Sequence, residues 1–251
     1  MNWLCATLCL AWTCASAPAD APSPATRIRV LLVTGVDYEG HLWKQTAPAV
    51  VEILKHDPRI DVTVTEKPGD LASDAIFAYD VVVLHFKNYD PLPRGEAAKA
   101  NLVKFVQEGK GLVLLHFACG AFEDWPEFAN LAGRVWDKKT THDPRGPFTV
   151  QIANSNHPIT RGLKDFQADD ELYFCLTGER PIEILATARS RVTKKDHPMA
   201  FVFQYGKGRV FHTPLGHDVK ALKMPGVSEL IRRGTVWAAG RSADARKKTP
   251  E

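Results

Sequence analysis

Residues 109–117, Gly-Lys-Gly-Leu-Val-Leu-Leu-His-Phe, decide how this chain folds. Two glycines close one element and open the next, four apolar residues follow without interruption, and a histidine stands where the run stops. An unbroken apolar run this short marks a strand covered on both faces, as in a parallel sheet; a strand with one wet face alternates instead. Three further β-rich runs come earlier, at 30–33, 62–64 and 81–84, and the first and third of these are also continuous. Helical patterns lie between them. Around 44–56, Ala49, Val50, Ile53 and Leu54 share a face, and around 96–108 Leu102, Val103, Phe105 and Val106 do. Strands alternating with helices predict a three-layer α/β/α fold with a mostly parallel, doubly wound, flavodoxin-like sheet.

The second half has a different rhythm. Strands are expected at 148–152, 171–176, 182–187, 199–205 and 209–213, the last two joined as an antiparallel C-terminal hairpin by Gly206-Lys207-Gly208. A closing helix at 225–239 turns Val227, Leu230, Ile231 and Trp237 inward. No internal repeat or long linker interrupts this, so one domain of residues 27–240 is expected.

The 251-residue chain is 45% hydrophobic and 24% charged, as an ordinary globular protein is. Its net charge of +3 owes most to residues 241–251, where four basic residues face two acidic ones, a short charged tail. A near-neutral body without a basic stripe excludes a nucleic-acid footprint, which needs clustered Lys and Arg to displace phosphate counterions. At the other end, residues 3–13 form an uncharged apolar run too short to span a bilayer, followed by small residues up to Ala19. This reads as a signal peptide of residues 1–19, cut before Asp20, with a linker at 20–26. The mature chain is then expected to be exported, periplasmic or extracellular, and free of membrane. It keeps two cysteines, Cys119 and Cys175, read as buried free thiols, although an oxidising compartment leaves pairing open.

In an open parallel sheet the ligand crevice lies beyond the carboxyl ends of the strands. Three of those ends run into histidine: His41 after the first, His85 after the third and His116 after the fourth. Further histidines fall in loops, among them His142, His157, His197 and the pair His212 and His217. Imidazole exchanges protons near neutral pH and also ligates metals, and spacing does not separate the two roles. There is no His-x-x-x-His, Cys-x-x-Cys or EF-hand pattern, so a divalent metal, the one cofactor considered, would need distant residues brought together. Asp169-Asp170-Glu171 offers carboxylates to orient an imidazole or act as a base, and Trp43 and Trp125 could stack on a sugar ring. Gly-x-Ser-x-Gly, Gly-x-Gly-x-x-Gly and P-loop patterns are absent, which removes the usual support for serine hydrolase, dinucleotide and nucleotide readings. Cys119, followed by Gly120, is an alternative nucleophile.

Taken in order, a series of segments resembles the ThuA-like, or trehalose-utilisation, family across nearly the whole mature chain. The segments are Leu-Val-Thr-Gly35 with His41, Gly-Leu-Val-Leu-Leu-His116, Trp125-Pro-Glu-Phe128 with Gly133, His142, His157-Pro-Ile-Thr-Arg-Gly-Leu163, Asp170-Glu-Leu-Tyr173, Gly208-Arg-Val-Phe-His-Thr-Pro-Leu-Gly-His-Asp218 and Trp237-Ala-Ala-Gly240. The resemblance implies a class I glutamine amidotransferase-like fold. In that wider group a cysteine occupies the turn directly after a central strand, where this chain has His116, so imidazole and carboxylate chemistry, or a metal, is expected in place of a thiol. The family is associated with trehalose and related disaccharides, beside dehydrogenases that make 3-keto sugars. The expected activity is therefore hydrolysis, β-elimination or isomerisation of a glycoside or its 3-keto derivative. His116, His217, Glu171 and His41 are the expected catalytic residues, with Asp37, Trp125, His142 and Asp170 around the substrate. The alternatives are a non-catalytic sugar-binding module and a hydrolase using Cys119.

Overall fold

The computed structural model describes residues 27–241. The expected leader of residues 1–19, the linker at 20–26 and all of the tail except Arg241 lie outside the described residues. The elements run β1 (Ile28–Val33), α1 (Trp43–Lys55), β2 (Ile60–Thr65), β3 (Val81–Leu84), α2 (Gly95–Gln107), β4 (Gly111–Leu115), α3 (Glu127–Ala132), β5 (Thr141–His142) and β6 (Gly146–Ile152). They continue with β7 (Phe166–Asp170), β8 (Tyr173–Phe174), β9 (Glu183–Arg189), β10 (Asp196–Tyr205), β11 (Gly208–Thr213), α4 (Val219–Leu222) and α5 (Pro225–Ala238).

Nine strands form one sheet in the order β2-β1-β3-β4-β11-β10-β9-β6-β7. The first five are mutually parallel, and β11, β10, β9, β6 and β7 pair antiparallel to one another in turn. The continuous apolar runs have the expected cause. Val30 and Leu32 of β1, Val81 and Val83 of β3, and Val113 and Leu115 of β4 pack into one core with α1 and α5. Their neighbours Leu31, Val33, Val82, Leu84, Leu112 and Leu114 pack into a second core with α2 and α3. A strand with a helix layer on each side has no wet face, so both sets of alternating positions must be apolar. Removing one of these fully buried leucines, such as Leu114→Ala, costs about 2–5 kcal/mol.

The antiparallel portion is larger than a hairpin. β10 and β11 meet around Gly206-Lys207 as expected, with Gly206 at φ +59°, but β9, β6 and β7 extend the sheet beyond them. The strand expected at 171–176 is displaced. The sheet strand is β7, which stops at Asp170, and only Tyr173 and Phe174 are extended afterwards, paired with β5 in a separate two-stranded sheet. Asp170 is the physical reason. Its buried carboxylate accepts the backbone N–H of Glu171 at 2.8 Å, Gly216 at 2.7 Å and His217 at 3.2 Å, which turns the chain out of the sheet and ties it to the loop after β11.

The strand order reverses at β1, with β2 on one side and β3 on the other, and a crevice opens beyond the carboxyl ends there. No described helix is long and apolar enough to cross a membrane.

Candidate active site

His116 is the first residue after β4 and has φ +46°, a left-handed conformation that non-glycine residues seldom adopt. The strained turn lifts its imidazole to the strand tip. Its Nδ1 lies 2.7 Å from the Pro214 carbonyl, and because a carbonyl only accepts, Nδ1 carries the proton. In the neutral ring Nε2 is then the acceptor. It receives the Tyr173 hydroxyl at 2.8 Å.

His41 arrives from the loop after β1, held between Tyr38 and Phe117 with ring centroids 5.1 and 4.4 Å away. His217 arrives from the loop after β11, behind Gly216, whose φ of +116° a side chain would strain. The three imidazole centroids are 4.8, 5.0 and 5.4 Å apart. Glu171, just past the end of β7, closes the group: its Oε2 is 3.2 Å from His217 Nδ1 and 3.7 Å from His116 Nε2, and its Oε1 is 3.7 Å from His142 Nε2. The His217 contact is a charge contact and not an aligned hydrogen bond, so His217 Nδ1, like His41 Nδ1, is buried without a hydrogen-bond partner.

The electrostatics follow from this packing. Burial, reinforced by His116 and His217, pushes His41 down to about 2, so its ring is neutral at any physiological pH. Burial alone would raise Glu171, but the neighbouring His116 and His217 imidazoles outweigh it and hold the carboxyl far below the usual range. The Glu171 carboxylate in turn raises His217. Burial raises the Tyr173 hydroxyl well above its ordinary value, so it stays a proton donor. Such opposed shifts in one crevice mark functional groups more often than structural ones.

A cavity of about 100 Å³ opens beside the His41 edge of the cluster, lined by Tyr38, His41, Lys87, Trp136 and Tyr173 among others. Trp136 also borders a second cavity of about 400 Å³ with Phe122, Glu123 and Trp125. The nearly buried Lys87 pairs with Glu123 at 3.0 Å, and its ammonium lies over the rings of Tyr89 and Trp136 at 4.8 and 5.9 Å.

The structure therefore brings His41, His116, Glu171 and His217 into one cluster, with His142 beside it. It puts the other expected residues elsewhere. Asp170 faces inward as the three-point backbone clamp described above, and burial raises its carboxyl. Asp37 lies at the rim, where it accepts the Trp43 indole N–H at 2.8 Å. Trp125 lines the larger cavity, away from the histidines. Cys119 is buried at the edge of the larger cavity, and burial pushes its thiol up to about 12, which disfavours the thiolate; Cys175 is exposed, not buried, and both are free. His85 and His212 are core residues, with Nδ1 close to the Thr34 hydroxyl and the Ala132 carbonyl respectively. Tyr173, Lys87 and Trp136 were not singled out in the sequence. Lys87 stands two residues beyond His85 at a strand exit, so the exit rule applied to all polar residues finds it; Tyr173 was hidden inside the run read as a strand.

A doubly wound sheet with a histidine-rich crevice beyond its strand ends defines an α/β protein with a glutamine amidotransferase-like fold. The ThuA family profile, described as trehalose utilisation, matches residues 29–238, and this chain belongs to that family. The family description suggests a carbohydrate-related role. A ThuA-like protein from Parabacteroides merdae is 27% identical with a TM-score of 0.77, the match covering 90% of this chain and 94% of that one. A second ThuA-like protein, from Bacteroides uniformis, is 18% identical with a TM-score of 0.71, covering 91% and 99%. A Thermoplasma acidophilum protein described as a GMP synthase component shares the fold at 12% identity and a TM-score of 0.50, covering 88% and 98%. No curated protein matches the sequence.

Proposed function

We propose that this chain is an exported enzyme of carbohydrate breakdown that acts on a glycoside in its 3-keto form. The observation that carries this reading is the convergence of three imidazoles and one carboxylate, with a buried phenol, beside a cavity beyond the sheet's strand ends. A sugar-binding module needs exposed aromatic faces; it has no use for proton-exchanging groups packed within 5.4 Å of one another. The apolar run at 3–13 and the small residues after it support export.

The chemistry suits this equipment. A ketone at C3 acidifies the proton on C2. A base removes that proton, the C2–H electron pair becomes the C1=C2 double bond, and the C1–O pair leaves with the glycosidic oxygen, which an acid protonates. Addition of water across the double bond turns elimination into net hydrolysis, and return of the proton to a different carbon gives isomerisation. All three outcomes share the loss of the C2 proton, and the cluster with Tyr173 and His142 supplies both base and acid. Trp136 borders both cavities, and Trp125 offers a stacking face for a sugar ring in the larger one. The test is purified protein with 3-keto-trehalose. Product should form with the wild-type chain and fall by at least about 10³-fold in the His116→Ala/His217→Ala double variant; undiminished product from that variant refutes the assignment.

A further inference from the structure

We propose that His41, His116, Glu171 and His217 are the four protein ligands of a divalent transition-metal ion. One donor atom from each lies within 4.8 Å of every other, although the residues come from three separate strand-end loops and the end of β7. Four donors arranged tetrahedrally 2.0–2.2 Å from a cation stand about 3.4 Å from one another. Glu171 Oε2 already has that spacing to His217 Nδ1, at 3.2 Å, and to His116 Nε2, at 3.7 Å. Two nitrogens of the cluster, His41 Nδ1 and His217 Nδ1, are buried and make no hydrogen bond. Buried polar atoms left unpaired cost free energy, and a bound cation is the partner that would satisfy a group of lone pairs converging on one point.

The surroundings are those of a metal site. The Pro214 carbonyl fixes His116 in the tautomer that presents Nε2, and the Asp170 carboxylate grips the backbone N–H groups of both Glu171 and His217. A set of three imidazole nitrogens and one carboxylate suits zinc, manganese, iron, cobalt or nickel, whereas magnesium and calcium take oxygen ligands. The cavity beside His41 and Tyr173 gives an exchangeable ligand a way in from that edge of the cluster.

This inference deepens the proposed function and divides its labour. Side chains engaged as ligands cannot also shuttle protons, so proton transfer falls to Tyr173, 2.8 Å from His116 Nε2, and to His142, 3.7 Å from Glu171. The metal rests on the cluster geometry, and the two claims fail separately.

The experiment uses the purified full chain, stripped with a chelator and dialysed, then titrated with zinc, manganese, cobalt, magnesium and calcium by calorimetry and thermal melting. One transition ion per chain should bind and raise the melting temperature, with no response to magnesium or calcium. Glu171→Gln and His217→Ala should each weaken binding at least about 100-fold with an unchanged circular-dichroism spectrum, and Asp170→Asn about 10- to 100-fold. Should those variants fail to fold, cobalt-loaded wild-type protein still decides the matter: visible absorption of a four- or five-coordinate ion supports the site. Absence of transition-ion binding to the wild type, or full binding by folded Glu171→Gln and His217→Ala, overturns it. Full turnover of 3-keto-trehalose by stripped protein overturns the metal's role and leaves the activity standing. Metal binding without turnover of any keto-glycoside supports the site and overturns the activity.

Discussion

Replacing Glu171 by Gln tests the electrostatic core of the site without changing its shape. In metal-free protein the carboxylate stands 3.2 Å from His217 Nδ1. At that distance two unit charges attract by about 5 kcal/mol with an effective dielectric of 20. Water reaches both side chains, which are 14% and 19% exposed, and screening reduces the net gain to about 1–2 kcal/mol. His217 is raised by this carboxylate, so its pKa should fall in the variant. Stability follows from the same two shifts. Glu171 lies below its ordinary 4.5, so its contribution is present above that pH and is lost as pH falls through the depressed folded value. His217 lies above its ordinary 6.5, so its contribution is present below that pH and is lost as pH rises through the raised folded value. The gap in unfolding free energy between wild type and variant should therefore be widest between the two ordinary values and shrink toward alkaline pH. Imidazole NMR titration and urea unfolding across pH 4–9, both with chelator present, measure the two effects. An unmoved His217 titration, or a gap that widens as pH rises, rules this coupling out.

Other expectations come from separate parts of the structure. Tyr173→Phe removes the buried phenol that bonds His116, and kcat on a keto-glycoside should fall about 10²-fold with KM nearly constant. Because Cys119 is buried with its thiol pushed up to about 12 while Cys175 is exposed, iodoacetamide at pH 7.5 should label Cys175 and spare Cys119, as peptide mass spectrometry reads, without loss of turnover. Asp57 is held below its ordinary value: burial opposes ionisation, but hydrogen bonds from Arg59 and the charge of Arg232 at 3.5 Å prevail. Asp57→Ala should therefore cost about 3 kcal/mol at neutral pH, a deficit that shrinks as acid protonates the wild-type carboxyl; a pH-independent deficit in denaturant melts would count against the pairing.

The parallel half of the fold was legible because both faces of β1, β3 and β4 are covered, which leaves a continuous apolar signature. The antiparallel half was less so. Phe166–Asp170 reads Phe-Gln-Ala-Asp-Asp, too polar for a strand by pattern, yet it is one: β7 lies at the sheet edge and Asp170 is satisfied by backbone donors from Gly216 and His217. The next residues, apolar enough to suggest a strand, leave the sheet because that clamp redirects them. His41 and His116 were found by the rule that parallel sheets bind at their carboxyl ends, which also picked the core residue His85, whereas His217 was read as a loop histidine. Their meeting with Glu171 was not readable, since it depends on a contact between residues 171 and 217 that no local pattern encodes. Nor could spacing tell His116 and His217 from His85 and His212; the polar neighbours make that distinction, Glu171 beside the first two, the Thr34 hydroxyl and the Ala132 carbonyl beside the others.

Everything proposed for the activity turns on whether this site takes a proton from the carbon beside a ketone. Incubating the protein with 3-keto-trehalose in D₂O and following C2 by NMR asks that question without intermediaries. Deuterium should enter C2 of recovered substrate or product at a rate no slower than turnover, and no such exchange should occur with the His116→Ala/His217→Ala variant. Turnover that leaves C2 fully protonated, or exchange at the wild-type rate in the variant, would contradict the proposed chemistry.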